Sequence, residues 1–246
     1  MPLLKKNGFL PDFSEIPSDV AKNTALMFLN YPNNPTGACA DGALFDEAVA
    51  FAAENDIILV HDSAYAEMTY DGSRPPSVLN AKGAMDLAIE FGSLSKYFNM
   101  TGWRIGWAVG NPDAVGTLAA LKSNLDSGAF QAVQVAATAA MNGPWDSVDS
   151  MREVYRKRRD KVVGTMRELG CELEYPNGSI YVWVPVPEGY TSAGFAEHVF
   201  DRTGVVITPG NGYGRHGEGY FRISLTIADD DLDEALSRFK AQGIRF

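Results

Sequence analysis

The sequence predicts an α/β protein, with a mostly parallel sheet flanked by helices and a small α/β domain after it. Three observations lead there. Apolar runs of strand length at residues 24–29, 57–60 and 88–91 each stop at polar or turn-forming residues, as buried parallel strands do. Leu44, Ala48, Phe51 and Ala52 recur at helical spacing between the first two runs, so strand, helix and strand form a βαβ unit. Asn142-Gly143-Pro144 then breaks a helical pattern and divides the chain into domains 1–143 and 144–246.

In chain order, residues 24–29 read as a buried strand that stops at the turn cluster Asn30-Tyr31-Pro32-Asn33-Asn34-Pro35-Thr36-Gly37. A helix over residues 42–54 crosses to the strand at 57–60, which ends in His61-Asp62-Ser63-Ala64-Tyr65. The third strand opens into a Gly-Ser loop holding Ser93-Leu94-Ser95-Lys96, and a fourth strand follows at 105–109. Helices follow at 113–123 and 129–141. Beyond the break, Asp146 offers a cap for a helix running to about Leu169, with Met151, Tyr155, Val162, Met166 and Leu169 on one face. Arg152, Arg156, Lys157 and Arg159 read as its solvated side. Strands at 180–184, 205–208 and 220–225, with helices at 192–202 and 230–240, build the small domain.

Composition narrows the function. With 246 residues, 46% hydrophobic and 21% charged, the chain is long enough for a large core. A net charge of -10 argues against nucleic acid or an anionic membrane as partner. Two cysteines, Cys39 and Cys171, without metal spacing, and no leader or apolar span point to the cytoplasm. His61, His198 and His216 have no ligand spacing, so no metal is expected. Gly212-Tyr213-Gly214-Arg215-His216-Gly217 fits the dinucleotide pattern, but a strand follows it where a pyrophosphate site needs a helix N-terminus.

The chemistry centres on Lys96, set where a strand opens into a loop, the ligand side of an α/β sheet. A lysine that captures an aldehyde must react in its neutral form, and Arg104 can supply the neighbouring charge that favours it. Ser93, Ser95 and the Arg104 fork are the donors a phosphate monoester needs. Asp62, directly after an apolar strand, needs a cationic partner, and a protonated pyridine nitrogen suits it. Asn34 and Tyr65 can donate to a phenolic oxygen. Singly, Asn34 also suits a turn, Asp62 a helix cap and Tyr65 a core position.

Together, the ordered set NYPNNPTG, HDSAY, SLSK, Arg104 and FRISLT resembles the class I/II aminotransferases of the aspartate aminotransferase superfamily, fold type I, along essentially the whole chain. MPLLKKNGFLPDF, FQAVQVAATAA and the stretch around GVVITPGNGYGRHGEGYFRISLT look like the branch holding LL-diaminopimelate, alanine and aspartate enzymes. The resemblance implies pyridoxal 5'-phosphate (PLP) as cofactor and transfer of an amino group between an amino acid and a 2-oxo acid. Lys96 becomes the Schiff-base lysine, Asp62 the pyridine-nitrogen partner, Asn34 and Tyr65 the phenolate-oxygen ligands, and Ser93, Ser95 and Arg104 the phosphate ligands. Arg222 becomes the grip on the substrate carboxylate, with Asn34 beside it, and a homodimer is expected.

The resemblance also places an N-terminal arm, a phosphate-cup turn and a ring-stacking aromatic before the Asn30 motif. The expectation is therefore an N-terminally truncated large domain and impaired activity. A carbon-sulfur lyase and a non-catalytic fragment of the same fold are the alternatives.

Overall fold

The computed structural model describes residues 1–72 and 74–246, and these divide into two compact units. The first comprises Met1, Leu10–Pro32 and Cys39–Arg152, and the second comprises Pro2–Phe9, Asn33–Ala38 and Glu153–Phe246. After the short helix α1 (Ser18–Lys22), the first unit runs β1 (Leu26–Asn30), α2 (Gly42–Glu54), β2 (Ile58–Asp62), β3 (Ala88–Ser93), β4 (Gly106–Gly110), α3 (Pro112–Leu125) and α4 (Gln131–Asn142). Helix α5 (Asp146–Glu168) carries the chain from one unit into the other at Arg152. No helix among the described residues is long and apolar enough to cross a membrane.

The sheet of the first unit has the order β1-β2-β3-β4, with β1, β2 and β3 parallel and β4 antiparallel to β3. The βαβ crossover forms because α2 has a built start and one apolar face. Asp41 accepts the Leu44 N–H at 2.9 Å as its N-cap, and Leu44, Phe45, Ala48, Val49 and Ala52 are buried. Strand β2 carries the centre of this core, with Leu59 and Val60 buried.

Strand β1 differs from the fully buried strand expected. Met27 and Leu29 are buried, but Leu26 and Phe28 are 52% and 65% exposed. The alternation follows the two-residue period of a strand packed on one face only.

The junction of β3 and β4 requires glycine. Trp107 stands opposite Gly92, and a Cβ on Gly92 would lie 2.0 Å from the Trp107 ring. The indole therefore lies directly against the backbone just before Ser93.

The second unit contains β5 (Tyr181–Pro185), α6 (Ser192–Thr203), β6 (Thr208–Pro209), β7 (Tyr220–Ser224) and α7 (Asp229–Ala241), with an antiparallel sheet of order β5-β7-β6. Phe195 of α6 packs on Phe221 of β7 at 5.2 Å between ring centroids, and Phe246 closes on both. The expected strand at 205–208 shrinks to Thr208–Pro209, where proline removes a ladder donor and 3-10 turns follow at once. Those turns, Gly210–Tyr213 and Arg215–Gly217, run into β7, so the glycine-rich loop opens no helix.

The solvated side assigned to α5 also needs correction. Arg159 is buried and donates to the Pro176 carbonyl at 3.0 Å. Arg152 donates to the Glu67 carbonyl at 3.0 Å. Both guanidiniums satisfy backbone acceptors, Arg159 fully and Arg152 partly withdrawn from solvent, while Arg156 and Lys157 stay on the solvated side.

Candidate active site

Because β1, β2 and β3 run parallel, their C-terminal ends share one edge of the sheet, and the polar residues that stop each apolar run gather there. Asn30 and Asp62 are register partners at the ends of β1 and β2, and the Asn30 amide donates to the Asp62 carbonyl at 2.9 Å. The Asp62 carboxylate is exposed, and its Oδ1 accepts the Ala64 N–H at 3.1 Å. Tyr65, in the turn that follows, is buried, and the Lys96 Nζ lies 5.7 Å from its ring centroid. Asp62, Tyr65 and Lys96 thus leave the sheet by the same edge.

The segment from Ser93 to Lys96 is held from below and within. Leu94 is buried with Met100 of the same loop and Ala137 of α4, against Phe98, Ile105 and Trp107. Small side chains on α4, Ala136, Ala137 and Ala140, let the loop approach the helix closely. Ser93 Oγ accepts the Ser95 N–H at 3.2 Å, and the Thr101 hydroxyl donates to the Ser95 carbonyl at 2.8 Å. Arg104 holds a left-handed backbone, φ 52°, and donates through Nη1 to the Thr101 carbonyl at 3.0 Å. A residue in that conformation turns the chain sharply into β4.

Asn34 and Arg222 belong to the second unit. Arg222 sits in mid-strand on β7, opposite Trp183 and Thr208. Its Nη1 donates to Asn34 Oδ1 at 3.0 Å, and the guanidinium carbon lies 4.0 Å from the Tyr181 ring centroid and 5.2 Å from that of Tyr213. Among the described residues, its Nε is buried without a hydrogen-bond partner. A planar cation over a ring face, with its Nε unpartnered among the described residues, has the chemistry to pair with a carboxylate. Burial raises the Tyr213 pKa even against the lowering effect of the Arg222 charge, so its phenol stays neutral.

The turn that presents Asn34 has its own fastening. Asn33 Oδ1 accepts from both the backbone and the hydroxyl of Thr36, at 3.1 and 2.7 Å, and the Asn33 N–H donates to the Ala38 carbonyl at 2.8 Å. Gly37 has φ 73°, and a Cβ there would lie 2.5 Å from Pro176 Cβ, so only glycine lets the turn seat on residues 176–178.

The whole chain carries the signature of one protein family. Residues 1–239 match the family of aminotransferases of class I and II. The chain belongs to that family. Its members are PLP-dependent enzymes. LL-diaminopimelate aminotransferase of Moorella thermoacetica is 58% identical over 240 residues, covering 98% of this chain and 62% of the relative. The enzyme of the same name from Desulforudis audaxviator is 55% identical, with 98% and 61% covered. Among solved structures, substrate-bound BacF from Bacillus subtilis superposes with a TM-score of 0.95 at 40% identity, over 100% of this chain and 63% of that one. An aminotransferase from Staphylococcus aureus gives 0.92 at 37% identity, over 99% and 65%. The chain thus spans a little over three fifths of the length of these relatives and shares the fold type I architecture of the aminotransferases.

The residues present suit the family's cofactor chemically. An amine beside a buried aromatic ring, a carboxylate at the next strand end, and hydroxyls with a guanidinium at the loop are groups whose chemistry would match an aldehyde, a pyridinium and a phosphate.

Sequence reasoning left two features out. Tyr181 and Tyr213 flank Arg222, and their only signal was aromatic residues near the arginine strand. His61 and Glu90 form a buried pair beneath Asp62, and the signal was an acid inside the apolar run Ala88–Ser93.

Proposed function

We propose that this chain is a PLP-dependent aminotransferase that moves an amino group between an amino acid and a 2-oxo acid. The observation that carries this is the convergence of Asp62, Tyr65 and Lys96 past one edge of the parallel strands. When bound, PLP supplies an electron sink for the substrate carbon that loses its proton. Lys96 would anchor the cofactor through its amine and serve as the general base for the α-proton. Asp62 would hold a positive charge on the pyridine nitrogen, Tyr65 and Asn34 would donate to the phenolic oxygen, and Ser93, Ser95 and Arg104 would hold the phosphate. Arg222 takes the α-carboxylate, with Asn34 fixing the guanidinium from one side.

The LL-diaminopimelate aminotransferases that share more than half of their matched residues with this chain support a diamino dicarboxylic acid as amino donor. A homodimer in the cytoplasm completes the reading. Leu121, Leu125, Phe130 and Val135 on and beside α3 and α4 are 59%, 74%, 76% and 64% exposed, an apolar face suited to a second copy. Because Asp62 and Arg104 are exposed, ion pairs formed by them with a cofactor would be screened by solvent, and the 246 residues alone should hold PLP weakly.

The test is to incubate the purified chain with PLP, reduce with borohydride and map the modified peptide by mass, then add LL-diaminopimelate to the unreduced complex and quantify the keto product. A trapped adduct on Lys96 and stoichiometric keto product are expected. Equal trapping in Lys96→Ala sinks the assignment, and ammonia released without an acceptor acid moves the reaction to a lyase.

A further inference from the structure

His61 and Glu90 stand opposite each other in register on β2 and β3, and they are only 2% and 6% exposed. The histidine ring is bracketed. Its Nδ1 lies 3.0 Å from Glu90 Oε2 and its Nε2 lies 3.1 Å from the Tyr31 carbonyl oxygen. A carbonyl oxygen only accepts, so Nε2 carries a proton. The same Glu90 oxygen accepts from the Ser77 hydroxyl at 2.9 Å and from the Val78 N–H at 3.1 Å, so three groups of the chain meet at this one atom.

Burial alone raises the Glu90 pKa, but hydrogen bonds from His61 and Ser77, the His61 charge and the Val78 N–H outweigh it and hold the carboxyl below the usual glutamate range. Phe45 of α2 closes the remaining side, edge-on to the imidazole at 4.7 Å. The pair is thus a hydrogen-bonded histidine and glutamate shut away from water.

Such a pair stabilises a fold no better than apolar packing of the same volume, because both polar groups lose their hydration. What it does provide is a fixed geometry. His61 is the chain neighbour of Asp62. Through its ring the end of β2 is tied to β3 and to the Tyr31 carbonyl, while Asn30 holds the Asp62 carbonyl at 2.9 Å. We propose that His61 is a positioning residue for Asp62: gripping Glu90 with one nitrogen and the Tyr31 carbonyl with the other, it fixes the backbone that carries the carboxylate meant for the pyridine nitrogen. The inference rests on the cofactor reading above and adds a residue that touches neither cofactor nor substrate.

Two measurements on the full chain test it. Without cofactor, the nitrogen NMR spectrum of labelled histidine, assigned through His61→Gln, is expected to show a proton held on His61 Nε2 and slow to exchange with water. With ring-labelled PLP, the wild type is expected to show a protonated pyridine nitrogen, and His61→Gln a reduced protonated fraction with a dissociation constant raised about tenfold, the scale of one lost charged hydrogen bond. All three donors meet one glutamate oxygen, so Glu90→Gln, with its carbonyl oxygen there, should stay within about twofold of wild type, whereas Glu90→Leu should match His61→Gln. If His61→Gln does not fold by thermal melting, the contrast between the two Glu90 variants decides. A His61 Nε2 proton that exchanges as fast as that of an exposed histidine, or pyridine protonation and affinity unchanged in both His61→Gln and Glu90→Leu, overturns the proposal. A wild type that forms no PLP adduct refutes the cofactor reading, whereas a wild-type adduct left unchanged by these substitutions refutes only the positioning role.

Discussion

The groups assigned to the cofactor in the first unit hang from strand ends and loops, and Asp62 and Arg104 are open to solvent. In the second unit, Arg222 sits in mid-strand, faced by two tyrosine rings and bonded to a side chain from a distant stretch of chain. The two regions gain precision by different means. Strand ends are placed by the sheet itself, so the first cluster relies on backbone order: the Asn30 grip on Asp62, the Leu94 anchor and the indole against Gly92. Arg222 relies on side chains around it, each contributing a modest increment. Damage to the first region should therefore be abrupt, and damage to the second graded.

The largest effect tests the abrupt side. Lys96→Ala removes both the anchor and the proton carrier, and the half-reaction followed by stopped-flow absorbance should slow by about 10³-fold or more. Next comes Arg222→Ala, which removes a charged pair of donors. KM for the amino acid should rise by roughly 2–3 kcal/mol of binding, with kcat changed far less, as steady-state kinetics would show. A loss confined to kcat would contradict the carboxylate role.

Gly92→Ala probes the backbone device. The new Cβ meets the Trp107 ring at 2.0 Å, so the melting curve should reveal a loss of about 1–3 kcal/mol, with the PLP site loosened alongside. Asn34→Ala deletes the 3.0 Å bond to Arg222 and should weaken carboxylate binding by about 1 kcal/mol in titrations with a dicarboxylate analogue. The smallest change is expected for Tyr181→Leu, which keeps the bulk and loses the ring face at 4.0 Å, about 0.5–1 kcal/mol in the same titration. Should Tyr181→Leu exceed Arg222→Ala, the graded picture of the second region fails.

Much of the first region was readable from local pattern. The runs at 24–29, 57–60 and 88–91 stop one or two residues before β1, β2 and β3 end at Asn30, Asp62 and Ser93, because an apolar run of strand length followed by turn formers has few other ways to fold. The α2 crossover follows from its cap and its helical apolar spacing. Local pattern misled where burial depended on neighbours. Leu26 and Phe28 look like core residues in sequence, yet alternate faces of β1 lie open. Arg159 looks solvated, yet a carbonyl 17 residues away draws it inside. The His61 and Glu90 pair was invisible for the same reason, since 29 residues separate two side chains whose meaning lies in each other.

By itself the sequence determined the strand ends, the order of the chemical motifs and the family, because these depend on residue type and short-range spacing. Only the tertiary structure decided that Asn34 bonds to Arg222, that two tyrosines face that guanidinium, and that a buried histidine–glutamate pair stands behind Asp62. Such contacts join residues far apart in the chain, and hydrogen bonds and buried charges gain their energy from distances and desolvation that exist only once the backbone has brought the partners together.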